Sequence, residues 1–426
     1  MLLKLVFGLL ATAAAVVAGN SCPNRSGGGW ETRYTATGAA DVAKAAETAK
    51  TSSPTSHVKG KAFDRFVVIY FENQNYDKAF GDANFHWFAK RGTTLSNYFG
   101  VTHPSQPNYM AAVAGDYFGM NHDEFLRSPR NVSTVIDLLD TKGISWGHYQ
   151  EDMPYSGFEG FKFKNQKNGA NDYVRKHNPA IMHDSVSHYE KRLSQIKNLS
   201  MVDTSRSMFH KDLENNRLPQ WMFITPNMTS DGHDSSVTTA GKWCRTFLEP
   251  LLDDERFLQN TLVLVTWDEN EKYADRNNIL GILLGDAVPR RLRGSEDKTF
   301  YNHYSEIATV SANWDLPTLG RWDVGANIYR LVADKTGDKP REWLSEQHLQ
   351  AMHWNWSYAG IFNKEGGHRV WPKPNLALDK STHGRPILQA IKDAYKHSDA
   401  PTYYTDSIEV PDGLHPPKGY EPVDDS

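Results

Sequence analysis

The feature that most constrains the fold is a set of short apolar runs, two of which end abruptly in paired polar side chains. Phe66-Val-Val-Ile-Tyr-Phe71 leads straight into Glu72-Asn73, and Thr261-Leu-Val-Leu-Val-Thr266 leads through Trp267 into Asp268-Glu269-Asn270. Trp221-Met-Phe-Ile-Thr225 and Ile279-Leu-Gly-Ile-Leu-Leu284 have the same character. Unbroken β-branched and aromatic runs read as strands covered on both faces, which requires helices on each side of a sheet. Helix-like stretches lie between them: Val135 to Lys142, stopped by Gly143, and Trp243 to Leu258. Strands alternating with helices predict an α/β fold with a mainly parallel central sheet.

In open sheets of this kind, functional groups gather beyond the carboxyl ends of the strands. Those positions hold Glu72-Asn73, the stretch from Pro226-Asn227 to Asp231-Gly-His233-Asp234, and Asp268-Glu269-Asn270. Burying such carboxylates without a cation is costly, so their joint placement predicts a metal cage of oxygen ligands. Any one pair taken alone reads better as surface carboxylates capping the next helix, and only the joint placement reverses that preference. A second signal is Thr102-His-Pro-Ser-Gln-Pro-Asn-Tyr109, leading into the small-residue stretch Met110-Ala-Ala-Val-Ala-Gly115. It sets the Ser105 hydroxyl at a helix start, where free N–H groups and the helix dipole favour phosphoryl oxygens. By itself Ser105 reads equally as a helix cap.

These pieces together resemble the phosphoesterase family that holds fungal acid phosphatases, bacterial phospholipases C and plant non-specific phospholipases C, within the alkaline phosphatase superfamily. The resemblance rests on Phe71-Glu-Asn-Gln-Asn-Tyr-Asp77, Thr102-His-Pro-Ser-Gln-Pro-Asn108, Asp231-Gly-His-Asp234 and Asp268-Glu-Asn270, in family order over about residues 64–310. Fungal acid phosphatases match best, through His103-Pro-Ser-Gln-Pro-Asn-Tyr109 and Gly115-Asp-Tyr117. The resemblance implies a three-layer, alkaline-phosphatase-like sandwich. It makes Ser105 the nucleophile and Asn108 a holder of a phosphoryl oxygen. Glu72, Asn73, Asp268 and Glu269 become metal ligands, with Ser105 a further ligand when deprotonated. His233 and His303 become catalytic histidines, Asp231 or Asp234 orients His233 or joins the metal, and His103 lies in the substrate pocket. Two-zinc members of the superfamily use several histidine ligands, whereas Glu-Asn and Asp-Glu point to one hard divalent cation such as Ca²⁺ or Mg²⁺, with a transition metal left open.

The N-terminus bears on location. Lys4 precedes the apolar run Leu5 to Ala18, with small residues at Val16 and Ala18 and a polar turn at Gly19-Asn20. This reads as a signal peptide over residues 1–18 and implies a secreted protein; the run is short for a membrane anchor. Sequons at Asn24, Asn131, Asn198, Asn227 and Asn355 suit glycosylation in that compartment, and Cys22 and Cys244, the two cysteines, could pair there. Residues 19–60, rich in Gly, Ala, Ser and Thr, read as a flexible arm. Residues 61–395 read as the catalytic domain and 396–426 as an extended tail.

Basic and acidic residues nearly balance, 47 against 51. No basic stripe exists to meet a nucleic acid backbone, and the resemblance implies small phosphate esters as the partners. The expected activity is a secreted acid phosphatase that scavenges phosphate. The competing readings are a phospholipase C-type phosphodiesterase, against which stands the lack of an amphipathic membrane segment, and a non-catalytic binding protein on the same fold. The oligomeric state is left open.

Overall fold

The structure, a computed structural model, describes residues 36–342, 356–364, 371–381, 384–409 and 422–424. The signal-peptide stretch, Cys22, Asn24 and Asn355 lie outside the described residues.

A nine-stranded sheet forms the centre. Its strands are β1 (Arg65–Phe71), β2 (Thr93–Phe99), β3 (Trp146–Glu151), β4 (Ile196–Leu199), β5 (Trp221–Thr225), β6 (Thr261–Trp267), β7 (Asn278–Leu284), β8 (Ser295–Asp297) and β9 (Tyr301–Asn302). The order is β8-β2-β7-β6-β1-β5-β3-β4, with β9 also pairing with β2. Only β7 runs against its neighbours. The four predicted strands all form, within one or two residues of their expected bounds.

The apolar runs become strands because both faces are covered. On β1, Tyr70 packs on Tyr109 with ring centroids 5.2 Å apart, while the next residue, Phe71, packs on Trp243 at 5.9 Å. Tyr109 belongs to α1 (Ser105–Ala114) and Trp243 to α3 (Val237–Leu251), so helices flank the sheet on each side, as expected for a three-layer sandwich. Between them in sequence lies α2 (Val135–Asp140), opened by Thr134 and Asp137 in a capping box. Val67, Val68 and Ile69 are fully buried, and each such side chain contributes about 1.5–3 kcal/mol. The expected helix from Trp243 to Leu258 is two elements. α3 begins well ahead of Trp243, at Val237, because Ser236 caps it there, and Asp254 caps a separate turn, Glu255–Leu258.

Two boundary expectations change. Residues 51–60 are not a free arm. Ser56 Oγ donates to Gln220 Oε1 at 2.6 Å, the Val58 amide donates to the same oxygen at 2.8 Å, and Lys197 Nζ donates to the buried Ser53 hydroxyl at 3.0 Å. The start of the expected tail is also packed. α1 and α4 (Tyr304–Trp314) are buried along their whole lengths, so a further layer must cover them. The 401–409 stretch helps supply it: Tyr404 is buried, and the hydroxyls of Tyr403 and Tyr404 donate to the buried Asp116. Pro and Asp in this segment suggested solvent, but its aromatic residues govern where it lies.

Candidate active site

The sheet order places β6, β1 and β5 side by side and parallel, so their carboxyl ends open at one edge. Phe71 is in register with Trp267, and the residues that follow, Glu72 and Asp268, therefore emerge as neighbours. The backbone then ties the three ends together. The Glu72 amide donates to the Asp231 carbonyl at 3.1 Å, the Asp268 amide to the Phe71 carbonyl at 3.1 Å, and the Asn73 amide to Asp268 Oδ1 at 3.1 Å. Asn73 turns at φ 44°, a left-handed conformation that Asn tolerates better than most residues. Gly232, between Asp231 and His233, sits at φ 102°, where a side chain would be strained. β2 runs in the same direction as β6, and the loop after it delivers Ser105 as the first residue of α1.

Ser105 Oγ faces Glu72 Oε2 at 2.9 Å, Glu269 Oε1 at 3.3 Å and Asn73 Oδ1 at 3.4 Å. One hydroxyl proton can satisfy only one of these three acceptors. Glu72 Oε1 accepts from the Tyr109 hydroxyl at 2.5 Å and lies 3.2 Å from His177 Nε2. His177 Nδ1 lies 3.5 Å from Asp231 Oδ2, and the imidazole stacks on Tyr109 with centroids 5.1 Å apart. Burial, followed by the charges of Asp268 and Asp231, holds Glu72 well above the usual carboxylate range. Burial raises Asp231, Asp268 and Glu269 as well, and pushes His177 well down.

This donor set fits a metal ion. Asp231 Oδ2, Asp268 Oδ2 and both ring nitrogens of His177 are buried and have no hydrogen-bond partner. Ligand atoms of Glu72, His177 and Asp231 lie within 4.8 Å of one another. A cation among them would restore the ionised carboxylates and use the neutral imidazole as a donor. All the predicted ligands, Glu72, Asn73, Asp268, Glu269 and Ser105, come together around this group. Beside the oxygen ligands expected from the sequence, His177 offers a nitrogen that could also hold the ion.

The predicted histidines separate. His233 stands at the rim, its side chain 31% exposed, with Nδ1 2.7 Å from Asp234 Oδ1 and its ring 6.2 Å from that of His177. His303 lies beneath the site instead of in it. It is fully buried, with Nε2 2.6 Å from the Asp268 carbonyl and Nδ1 2.7 Å from the Tyr70 hydroxyl, so both nitrogens are already engaged. His103 pairs with Glu269 through Nδ1, stacks on Tyr273 at 3.9 Å, and is pushed down to about 3 by burial. Asn108 is not free to hold a phosphoryl oxygen. Its Nδ2 donates to the carbonyls of Thr102 and Pro104, and its Oδ1 accepts from the amides of Val101 and Thr102, so it clamps the loop that carries Ser105.

The profile of the Phosphoesterase family matches residues 82–317, more than half of the chain. The chain belongs to the Phosphoesterase family. It is 48% identical over 368 residues to an acid phosphatase of Aspergillus fumigatus, covering 85% of this chain and 79% of that one. It is 47% identical over 364 residues to the phosphate-repressible acid phosphatase of Penicillium chrysogenum, covering 85% of each. Among solved structures, a protein in the alkaline phosphatase superfamily from Vibrio parahaemolyticus aligns at 11% identity with a TM-score of 0.40, covering 64% of this chain and 73% of that one.

Sequence reasoning passed over His177, which joins these carboxylates, and its neighbour Lys176. They sit in a short 3₁₀ turn, Arg175–His177, far from any of the acidic strand ends in sequence. The Lys-His pair carried no spacing that would single it out. His148 lies in β3, with its ring stacked on Phe223 in the core. A short helix over Met208–Glu214 buries Phe209 and Leu213 despite the mixed charges around it. The Cys244 side chain is buried in α3, and its expected partner Cys22 lies outside the described residues.

Glu151, at the end of β3, braces the loop that carries Asp231. Its Oε2 accepts from the Asn227 amide at 2.9 Å and its Oε1 from Trp243 Nε1 at 2.9 Å, while the Asn227 carbonyl accepts from the Asp231 amide at 2.8 Å. Burial, then Asp152, pushes Glu151 up to about 7. A carboxyl raised on folding stabilises the native state most below its unfolded value, near 4.5, and that contribution is lost as pH rises through about 7. Metal-free protein is therefore expected to melt at a lower temperature at pH 8 than at pH 5. Glu151→Gln should flatten this dependence. An unchanged pH dependence in the variant, measured by thermal unfolding in chelator, would remove Glu151 as its source.

Proposed function

We propose that this protein is a secreted acid phosphatase that hydrolyses phosphomonoesters through a serine nucleophile and so recovers phosphate outside the cell. The observation that carries the reading is Ser105 Oγ, placed at a helix N-terminus among three acceptors beside buried, unpartnered carboxylate and imidazole atoms. Acid phosphatases related over 85% of the chain support it. So do the apolar N-terminal run and the sequons, of which Asn131, Asn198 and Asn227 lie among the described residues. Among those residues no helix is long and apolar enough to cross a membrane.

Glu72, Asp231 and His177, with Asp268, Asn73, Glu269 and Ser105 beside them, would hold one divalent ion. Ca²⁺, Mg²⁺ and transition metals all suit a set that mixes carboxylates with one imidazole. Bound there, the ion supplies Lewis acidity, lowering the hydroxyl pKa and neutralising phosphoryl charge. Ser105 Oγ attacks phosphorus in line, the ester P–O bond breaks, and the chain carries phosphoserine. His233, aimed by Asp234, is placed at the rim to protonate the leaving oxygen. Water then attacks phosphorus, the Ser105 P–O bond breaks, and phosphate leaves. His303 is a positioning residue, because its contact is with the Asp268 backbone.

The expected pH–rate profile on p-nitrophenyl phosphate peaks at about pH 5–6, since ligated carboxylates keep their charge in mild acid. Bis-p-nitrophenyl phosphate and phosphatidylcholine run beside it test the phospholipase alternative. An optimum above about pH 8, or a preference for either diester, would overturn the acid phosphatase reading.

A further inference from the structure

One basic side chain acts electrostatically on three of the buried site carboxylates. The charge of Lys176 is felt by Glu72, Asp231 and Glu269. It adjoins His177 in the 3₁₀ turn and keeps 14% of its side chain exposed, so it sits where the carboxylate cluster meets solvent. Its Nζ donates to Asp123 Oδ2 at 2.8 Å. The other oxygen, Asp123 Oδ1, accepts from the Gln106 backbone amide at 3.0 Å. Gln106 follows Ser105, so its N–H is one that the first turn of α1 leaves without an intrahelical partner. A single carboxylate thus bridges an ammonium and a helix-start amide, one residue from the proposed nucleophile.

That is how a phosphoryl group would also be held, with two oxygens on two donors. A phosphomonoester has three terminal oxygens. In a diester one of these carries a second ester group, which cannot take the charge that an ammonium rewards. Asp123 is 32% exposed and can turn aside, and Lys176 then still faces the charges of Glu72 and Asp268.

We propose that Lys176 is a specificity-determining residue that binds the third terminal oxygen of a phosphomonoester, and that Asp123 occupies Lys176 and the Gln106 amide until that oxygen displaces it. The proposal rests on the phosphatase reading above and adds the choice of monoester over diester. The alternative is a permanent ion pair that only braces the turn.

The test uses full-length Lys176→Met, Lys176→Arg and Asp123→Asn with p-nitrophenyl phosphate, bis-p-nitrophenyl phosphate and inorganic phosphate as inhibitor. Phosphate binding to each change in the Ser105→Ala background is measured by calorimetry, and bound metal is measured in every protein. Lys176→Met is expected to raise KM for the monoester and Ki for phosphate by about 10–100-fold, the scale of a lost charge-assisted hydrogen bond, with a smaller change in kcat. Diester turnover should change less than about 3-fold. Lys176→Arg should recover part of the loss, and Asp123→Asn should tighten phosphate binding by removing its competitor. Wild-type protein that cleaves no monoester would sink the phosphatase reading itself. Wild type that cleaves monoester, with Lys176→Met leaving KM, Ki and the monoester-to-diester ratio unmoved at normal metal content, would overturn this inference alone. Weaker phosphate binding in Asp123→Asn would overturn the displacement and make Asp123 a brace for Lys176.

Discussion

Ser105→Ala is expected to lower kcat on p-nitrophenyl phosphate by at least about 10³-fold, equivalent to roughly 4 kcal/mol of transition-state stabilisation. The side chain contributes only a hydroxyl, and Ala keeps the helix start, so thermal stability should change little. The hydroxyl donates to only one of three acceptors, so removing it costs a single hydrogen bond, about 1 kcal/mol, and orphans no donor. Acid quench of the wild-type protein during turnover of ³²P-labelled substrate should leave label on Ser105. A Ser105→Ala protein with near-wild-type turnover would move the attacking oxygen elsewhere, to water at the same carboxylates. Retained phosphate binding in the variant would show that the binding groups survive.

The second large effect is expected from the metal ligands. Chelation should abolish activity, and a divalent cation should restore it. Asp268→Asn, Asp231→Asn and His177→Ala should each weaken metal retention by at least about 100-fold, because each removes a donor from a group that is buried and otherwise unpartnered. The stability of the metal-free variants distinguishes this from simple unfolding. Asp231→Asn and Asp268→Asn remove a carboxylate whose burial is only partly compensated, one oxygen of each having no partner, so without metal they should be about as stable as the parent. Elemental analysis, activity and melting temperature on the same samples decide the matter. Full turnover by protein shown to be metal-free would rule out a metal role for these residues. His177→Ala with unchanged metal content would return the site to the all-oxygen cage that the sequence suggested.

The loop clamp and the floor histidine illustrate what a motif cannot reveal. Asn108 and His303 were both readable as site residues because each lies in a segment that the family resemblance marks. Whether such a side chain faces substrate depends on where its hydrogen bonds go. Asn108 uses both ends of its amide on the backbone of residues 101–104, and His303 spends one nitrogen on the Asp268 carbonyl and the other on Tyr70. Both still serve the site by fixing the backbone that carries Ser105 and Asp268.

By itself the sequence determined the buried strands and the acids that end them. Those features are local: a doubly covered strand must be apolar along its length, and a carboxylate at its end is legible next to it. The position of Ser105 at a helix start was legible for the same reason. Only the tertiary structure decided which strand ends meet. The order β6-β1-β5 brings Asp268, Glu72 and Asp231 to one edge, although they are separated by long stretches of chain. The same assembly brought in His177 and Lys176 from a short turn with no pattern of its own, and folded the tyrosines of the expected tail onto Asp116. Spacing along a chain reports neighbours within an element, whereas a site assembled from separate segments is set by sheet order and packing, which no single segment encodes.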